Sequence, residues 1–369
     1  MVGAYKYKGE PEETQRSLYD PEPAPEEDLR FLPATPEDMA PTDMPWPVAA
    51  RETSLDARVW QAAEKECYRN LLRAVQAVIR FGERMRLFPP DVAERFAIES
   101  VSAVLRTEGT WLSSEQIALY RTLRIASDDS AQDLSRASWA VRRLCAGDYM
   151  GSGAGGPLSG LHDFLGRTSV QSPQRVSGAE RAVGDELIAL SDHWVFGLDA
   201  VSDCHPLTQA AYGFASWRAE GITPYEELLE PTTAALLIGA SGLAPFLPMA
   251  PGHRLDRHSL RAGSTGAEER LSVFYGAIEA GALGAVLELD RLERWRQRAT
   301  EAIRDLSGRT PPRMVAALMK ASVVSADWLA EEVGCTAVSV RRNLKTFTER
   351  GLVREVTGQD RYRFWTVAL

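Results

Sequence analysis

TPPRMVAALMKASVVSADWLAEEVGCTAVSVRRNLKTFTERGLVREVTGQDRYRFWTVAL, residues 310–369, is the stretch whose reading decides the fold. Met314, Val315, Leu318 and Met319 give Arg313–Lys320 a helical apolar face, and Pro311 and Pro312 fix its start. Ser325 is placed to cap a second helix, Ala326–Val333, ending at Gly334. Thr336 is placed to cap a third, Ala337–Arg350, ending at Gly351. Leu352–Val356 and Arg361–Val367 then alternate like strands around a turn at 357–360. Two short helices joined through a glycine turn and followed by a hairpin predict a winged helix-turn-helix.

The third helix divides by angle. Val340, Leu344 and Phe347 share one face and belong to a core. Val338, Arg342, Lys345 and Thr346 share the other, with Ser339 and Arg341 at its margins and Thr336 at its start. Short polar groups near a helix N-terminus with Arg or Lys further along suit a major groove. Arginine grips guanine O6 and N7, serine and threonine read either base edge, and Val338 meets a thymine methyl. In the hairpin, strand alternation sends Arg361 and Arg363 to one face, toward phosphate or a minor groove. Glu349, at the far end of the helix, sits poorly against phosphate.

Working outward, the charge is polarised. The chain of 369 residues carries a formal charge of −9, yet residues 1–50 hold eleven acidic and four basic side chains, and residues 336–369 hold seven basic and three acidic. A local basic patch matters more to nucleic acid than the total. Residues 1–53 carry nine of the 21 prolines and little apolar periodicity, so an acidic disordered tail is expected there. From 54 to 308 the pattern is helical: Trp60, Ala63, Cys67, Leu71, Ala74 and Val78 recur at three and four residues, and helices follow near 91–106, 114–125, 131–146, 178–194, 206–219 and 231–240. Soft stretches lie near 151–177 and 242–266. Residues 267–306 read as one long helix with a possible interruption at Gly281–Gly284, and Arg291, Arg294, Arg296 and Arg298 crowd its end. The fold class is mainly α.

Other chemistry is thin. Gly151, Gly153 and Gly156 spell G-x-G-x-x-G, but a helix precedes and Pro157 follows, so they read as a linker and not as a dinucleotide fingerprint. Cys67, Cys145, Cys204 and Cys335 are far apart and read as reduced thiols. His193, His205, His253 and His258 have no metal-ligand spacing. No metal or cofactor is expected. No run nears the ~18 apolar residues of a membrane span, and no apolar leader follows the N-terminus, so a cytoplasmic protein off the membrane is expected.

The residues GLVREVTGQDRYRFW (351–365) resemble the wing of a bacterial family that pairs a helical domain of unknown function with a helix-turn-helix, and of the DNA-binding domains appended to some Fic proteins. SVSAVLRTEGT (100–110) resembles the turn before two helices in the N-terminal region of Fic proteins. HPLTQAA (205–211), GITPYEE (221–227) and AALLI (234–238) resemble their helix-loop-helix core. The resemblance covers most of residues 55–369. It implies a Fic-like helical body whose loop departs from H-P-F-x-D/E-G-N-G-R. Thr223 stands at the catalytic histidine, Pro224 and Tyr225 fit the next two positions, and the glycine and arginine that hold phosphate have no counterpart in EELLEP (226–231), where Glu226, Glu227 and Glu230 read as an exposed acidic helix start. Threonine is no base near neutral pH. The reading is therefore a double-stranded DNA-binding transcriptional regulator, with a catalytically inactive body supplying homodimerisation or sensing of a small-molecule or protein effector. The alternatives are a divergent nucleotidyl-transferase and a protein-interaction adaptor.

Overall fold

The apolar period beginning at Leu55 builds two helices, α1 (Ala57–Glu66) and α2 (Tyr68–Met85). Asp56 caps α1 by accepting from Arg58 N at 2.9 Å. The helical stretch is broken at Cys67, whose ψ of 11° ends one helix and starts the next. The computed structural model describes residues 55–123, 130–146, 161–165, 181, 182, 184–224, 226–250, 266–358 and 362–369. The expected acidic tail 1–53, the glycine stretch 151–160, His253, His258, Tyr225 and Arg361 lie outside the described residues.

Next come α3 (Val92–Glu108), α4 (Ser114–Leu123), α5 (Ala131–Cys145), the short α6 (Leu161–Leu165) and α7 (Gly184–Ala200). Ser113 and Gln116 close a reciprocal cap on α4: Gln116 N donates to Ser113 Oγ at 3.1 Å, and Ser113 N donates to Gln116 Oε1 at 2.8 Å. A buried pair follows, α8 (Pro206–Glu220) and α9 (Leu229–Ala240), each hidden on nearly all sides. Their packing is aromatic. Trp194 meets Trp217 edge-on at 5.1 Å and donates its indole N–H to Gly213 O at 2.8 Å. Large rings are buried here without leaving a polar atom bare.

The long α10 (Ala267–Ala302) packs along α2, α1 and α8. Asn70 meets Ser272 at 2.9 Å, Arg73 meets Glu279 at 3.5 Å, and Arg84 meets Asp290. The partners climb both helices in step, so α2 and α10 run parallel. By length and composition α10 is apolar enough to cross a membrane, and here that apolar surface forms core. The expected interruption at Gly281–Gly284 is absent. A Cβ on Gly281 would lie 1.9 Å from Pro248 O, and one on Gly82 of α2 would lie 1.9 Å from Leu243 O. Both glycines admit the segment 243–249 against bare helix backbone. Leu247 N donates to Leu236 O at 3.0 Å and Met249 N to Ser100 Oγ at 3.0 Å, which ties the second half of the segment to α9 and α3.

The C-terminal module comprises α11 (Thr310–Lys320), β1 (Val324–Ser325), α12 (Ala326–Val333), α13 (Ala337–Glu349), β2 (Val353–Glu355) and β3 (Phe364–Val367). The sheet is antiparallel in the order β1-β3-β2, with Ser325 opposite Phe364 and Glu355 opposite Trp365. Three details differ from the sequence reading. Helix α11 starts at Thr310 because Pro311 and Pro312 fit its first turn. The two-residue β1 adds a strand, and β3 begins only at Phe364. The module shares its interior with the helices before it. Trp295 Nε1 donates to Leu352 O at 2.7 Å, and Arg298 to Ala368 O at 2.7 Å. Arg350 grips Asp305 through two bonds of 2.6 and 2.7 Å, and Arg354 meets Glu115.

Arg95 of α3 completes this joint by donating to Ala321 O at 2.6 Å, just past the end of α11. Glu99, one turn further along α3, is pushed up to about 7, first by burial and then by Glu288, while Arg95 opposes the shift. The folded protein therefore holds a proton that the unfolded chain releases near 4.5. Stability from this group is complete below that value and is lost as pH rises through 7. Denaturant melts between pH 5 and 8 should show the wild type weakening by up to about 3 kcal/mol, with Glu99→Gln removing most of the slope.

Candidate nucleic-acid interface

Local chemistry builds the α12–α13 turn. Ser325 Oγ accepts from Trp328 N at 3.1 Å to start α12, and Gly334 ends it with φ of 71°. That left-handed value is one that glycine adopts without strain. Thr336 Oγ1 accepts from Ser339 N at 3.3 Å to start α13, and Gly351 follows its end with φ of 65°. Val340, Leu344 and Phe347 are fully buried beneath α13. Phe347 O also receives Leu352 N at 2.8 Å, which leads the chain from α13 into β2.

The outward face of α13 collects the residues expected there. Val338 is 74% exposed, an unusual position for a β-branched apolar side chain at the start of a helix. Arg341, Arg342 and Lys345 are exposed, and Ser339 and Thr346 are half-buried. Their commitments differ. Arg341 donates to Asp327 of α12 at 3.2 Å, with both side chains mostly in solvent. Lys345 stands 4.0 Å from Glu349. Exposed pairs of this kind are worth about 0–1 kcal/mol, so a phosphate can displace either carboxylate.

The hairpin departs from expectation. Arg363 is exposed but committed within the hairpin: its Nε donates to Glu355 at 2.8 Å, and its guanidinium lies 5.4 Å above the Trp365 ring. Residue 362 is the physical reason, because its φ of 58° breaks the strand alternation on which the expectation rested. Sequence spacing alone missed both acidic partners. Asp327 and Arg341 lie on different helices, whereas the Glu355–Arg363 pair follows once the hairpin register is fixed.

The loop before α9 is organised around buried charge. Thr223 is buried, and its hydroxyl accepts the Trp217 indole N–H at 3.2 Å. Pro224 is half-buried and Glu226 exposed. Glu227 pairs with Arg181 and lies 3.6 Å from Arg136. Glu230 is buried and meets Arg181 at 2.8 Å. Arginines far away in sequence therefore balance the acids of the loop. A helix N-terminus is a ready anion site, and at α9 the chain's own Glu108 fills it. Glu108 Oε1 accepts from Leu228 N at 2.5 Å and Leu229 N at 2.7 Å, and Oε2 from Arg136 at 2.9 Å. Burial pushes the Glu108 carboxyl up, and Arg136 and the two amides pull it back.

The remaining candidates have structural partners. His193 lies 2.9 Å from Glu220, and His205 caps α8 by accepting from Leu207 N at 3.1 Å. Cys67, Cys145, Cys204 and Cys335 are all free thiols. Burial raises the buried Cys204 to about 11, far from the reactive thiolate range. Among the described residues no group of three His, Cys, Asp or Glu is placed to hold a metal. No protein-family model matches the chain, and no characterised protein matches it in sequence.

Proposed function

We propose that this protein binds double-stranded DNA through α13, and that α11, α12, α13 and the β2–β3 hairpin act as a winged helix-turn-helix. The observation that carries the reading is the outward face of α13. Val338, Arg342 and Lys345 stand in solvent on a helix whose opposite face is fully buried. Such a helix offers a major groove one apolar contact and several cationic ones. The helical body serves in this reading as a Fic-like scaffold for homodimerisation or effector sensing in a transcriptional regulator.

The buried Thr223 hydroxyl and the Glu108 carboxylate on the α9 amides favour that scaffold over a nucleotidyl-transferase. Incubation with labelled ATP and magnesium or manganese tests it, with transfer of label to protein counting for the enzyme. A protein-interaction module is the second reading. Asp327 and Glu349 favour it, because each places a carboxylate beside the cations of the α13 face.

Arg342→Ala should weaken duplex binding by about 1–3 kcal/mol and relax specificity at one base pair. Asp327→Asn should strengthen binding a few-fold by freeing Arg341, on the order of the 0–1 kcal/mol of an exposed pair. Binding should also fall steeply with salt through counterion release. Gel shifts on duplexes selected by the wild type check all three. Unchanged binding in both variants would place the interface elsewhere.

A further inference from the structure

The middle of α10 faces solvent with an apolar stripe. Val273, Gly276, Ala280, Leu283 and Leu287 recur at three and four residues, so they fall within about 80° of one helix face. Leu283 is 40% and Leu287 59% exposed. The ends of the same face are charged. Glu269 stands one turn before Val273 and Arg291 one turn after Leu287, both exposed. Toward α2, the pair of Arg73 and Glu279 rims the apolar middle.

Two glycines on this side of α10 have no use within one protomer. Neither Gly276 nor Gly284 has an atom within 4 Å of the point where a Cβ would stand. Gly82, Gly197, Gly213, Gly239 and Gly281, also inside helices, each face an atom at 3.2 Å or less, so close packing accounts for them. A glycine inside a helix costs propensity wherever it stands. Among the described residues, nothing offsets that cost at Gly276 and Gly284.

We propose that a second copy of this chain covers the stripe, the two α10 helices crossing antiparallel at Ala280. Charge complementarity selects both the occupant and the direction. Eleven residues separate Ala280 from Glu269 and eleven from Arg291, so antiparallel copies set Glu269 of each against the partner's Arg291. Seven separate it from Val273 and from Leu287, and four from Gly276 and from Gly284. Apolar side chains then meet apolar ones, and the backbones close together where both carry glycine. Parallel copies would set glutamate against glutamate and arginine against arginine, which repel. Arg291 rests on Glu288 through an exposed pair, weak enough for the incoming Glu269 to share. The same patch serves both copies, as a two-fold interface requires. This pairing gives the homodimerisation proposed for the body its surface, and it rests on that reading and not on DNA binding.

Sedimentation velocity of the full chain over a dilution series tests the pairing. The wild type should pass from dimer to monomer on dilution. Leu287→Glu should be monomeric throughout, with the melt of dilute protein unchanged because the side chain it replaces is exposed. Gly284→Ala should loosen the dimer while leaving the dilute protomer as firm as before or firmer. Glu269→Arg or Arg291→Glu alone should weaken the dimer roughly five- to tenfold, since each reversal acts on both symmetric contacts. The two reversals together should restore it. A Leu287→Glu dimer as tight as wild type would overturn this surface and leave homodimerisation standing through another. A double reversal that restores nothing would overturn the antiparallel register. A wild type that is monomeric at every concentration would overturn the surface and homodimerisation together, and leave the stripe to a different protein.

Discussion

Alanine at Gly281 is expected to cost the fold about 3 kcal/mol or more, at the upper end of what overpacking a filled interior does. Its Cβ would meet Pro248 O at 1.9 Å, Pro248 C at 2.8 Å and Met249 Cα at 3.1 Å. All three are backbone atoms, so no flexible side chain can move aside. The segment carrying them is tied to Leu236 and Ser100, and a shift of α10 would disturb α2 and α8. Gly284, three residues along the same helix, has nothing within 4 Å of the point where an added methyl would stand. Gly284→Ala should therefore be neutral or stabilise by up to about 1 kcal/mol through helix propensity. Denaturant midpoints compare the two directly. Equal effects would mean that 243–249 does not thread against α10.

That contrast shows what the sequence could and could not carry. Both glycines looked like a possible break in a helix, because a glycine inside a helical pattern costs propensity wherever it stands. The difference between them depends on 243–249, a segment distant in the chain with no periodicity of its own. Features set by neighbours in sequence were legible. Ser325, Gly334, Thr336 and Gly351 mark the ends of α12 and α13 within a residue, since caps act over three or four positions. Strand β1 was invisible because two residues show no alternation. Tyr362 escaped for a related reason: reading 361–367 as one strand assigned its ring to the inner face, and a single left-handed residue reverses that assignment.

The candidate sites divide along the same line. The exposed side of α13 follows from helical angle alone, so Val338, Arg342 and Lys345 could be picked out in advance. Their restraint by Asp327 and Glu349 could be foreseen only for Glu349, four residues from Lys345. The counter-ions of the loop at 221–230, Arg136 and Arg181, lie roughly 50 to 90 positions away, beyond any local rule. A count of charge along the chain does not show a site where opposite charges meet only after folding.

Glu108 is where that distant pairing should have its largest measurable effect. Its side chain is 5% exposed and joins three elements: the end of α3, Arg136 on α5, and the first amides of α9. Removing one partner from a buried ion pair leaves the other desolvated and uncompensated, which typically costs about 3–5 kcal/mol. Glu108→Ala should fall in that range, because it bares both the guanidinium and two helix N-terminal amides. Asp133 at 3.3 Å and Glu227 at 3.6 Å remain near Arg136, which places the loss nearer the lower bound. Glu108→Gln retains an acceptor for the Leu228 and Leu229 amides and gives up only the charge, so its loss should be smaller. The double variant Glu108→Ala, Arg136→Leu should be less destabilised than the sum of its single changes, since it leaves no buried charge alone. Denaturant melts of these variants and wild type close the cycle. Additive losses would mean that Glu108 acts on α9 alone and that Arg136 depends on Asp133 and Glu227.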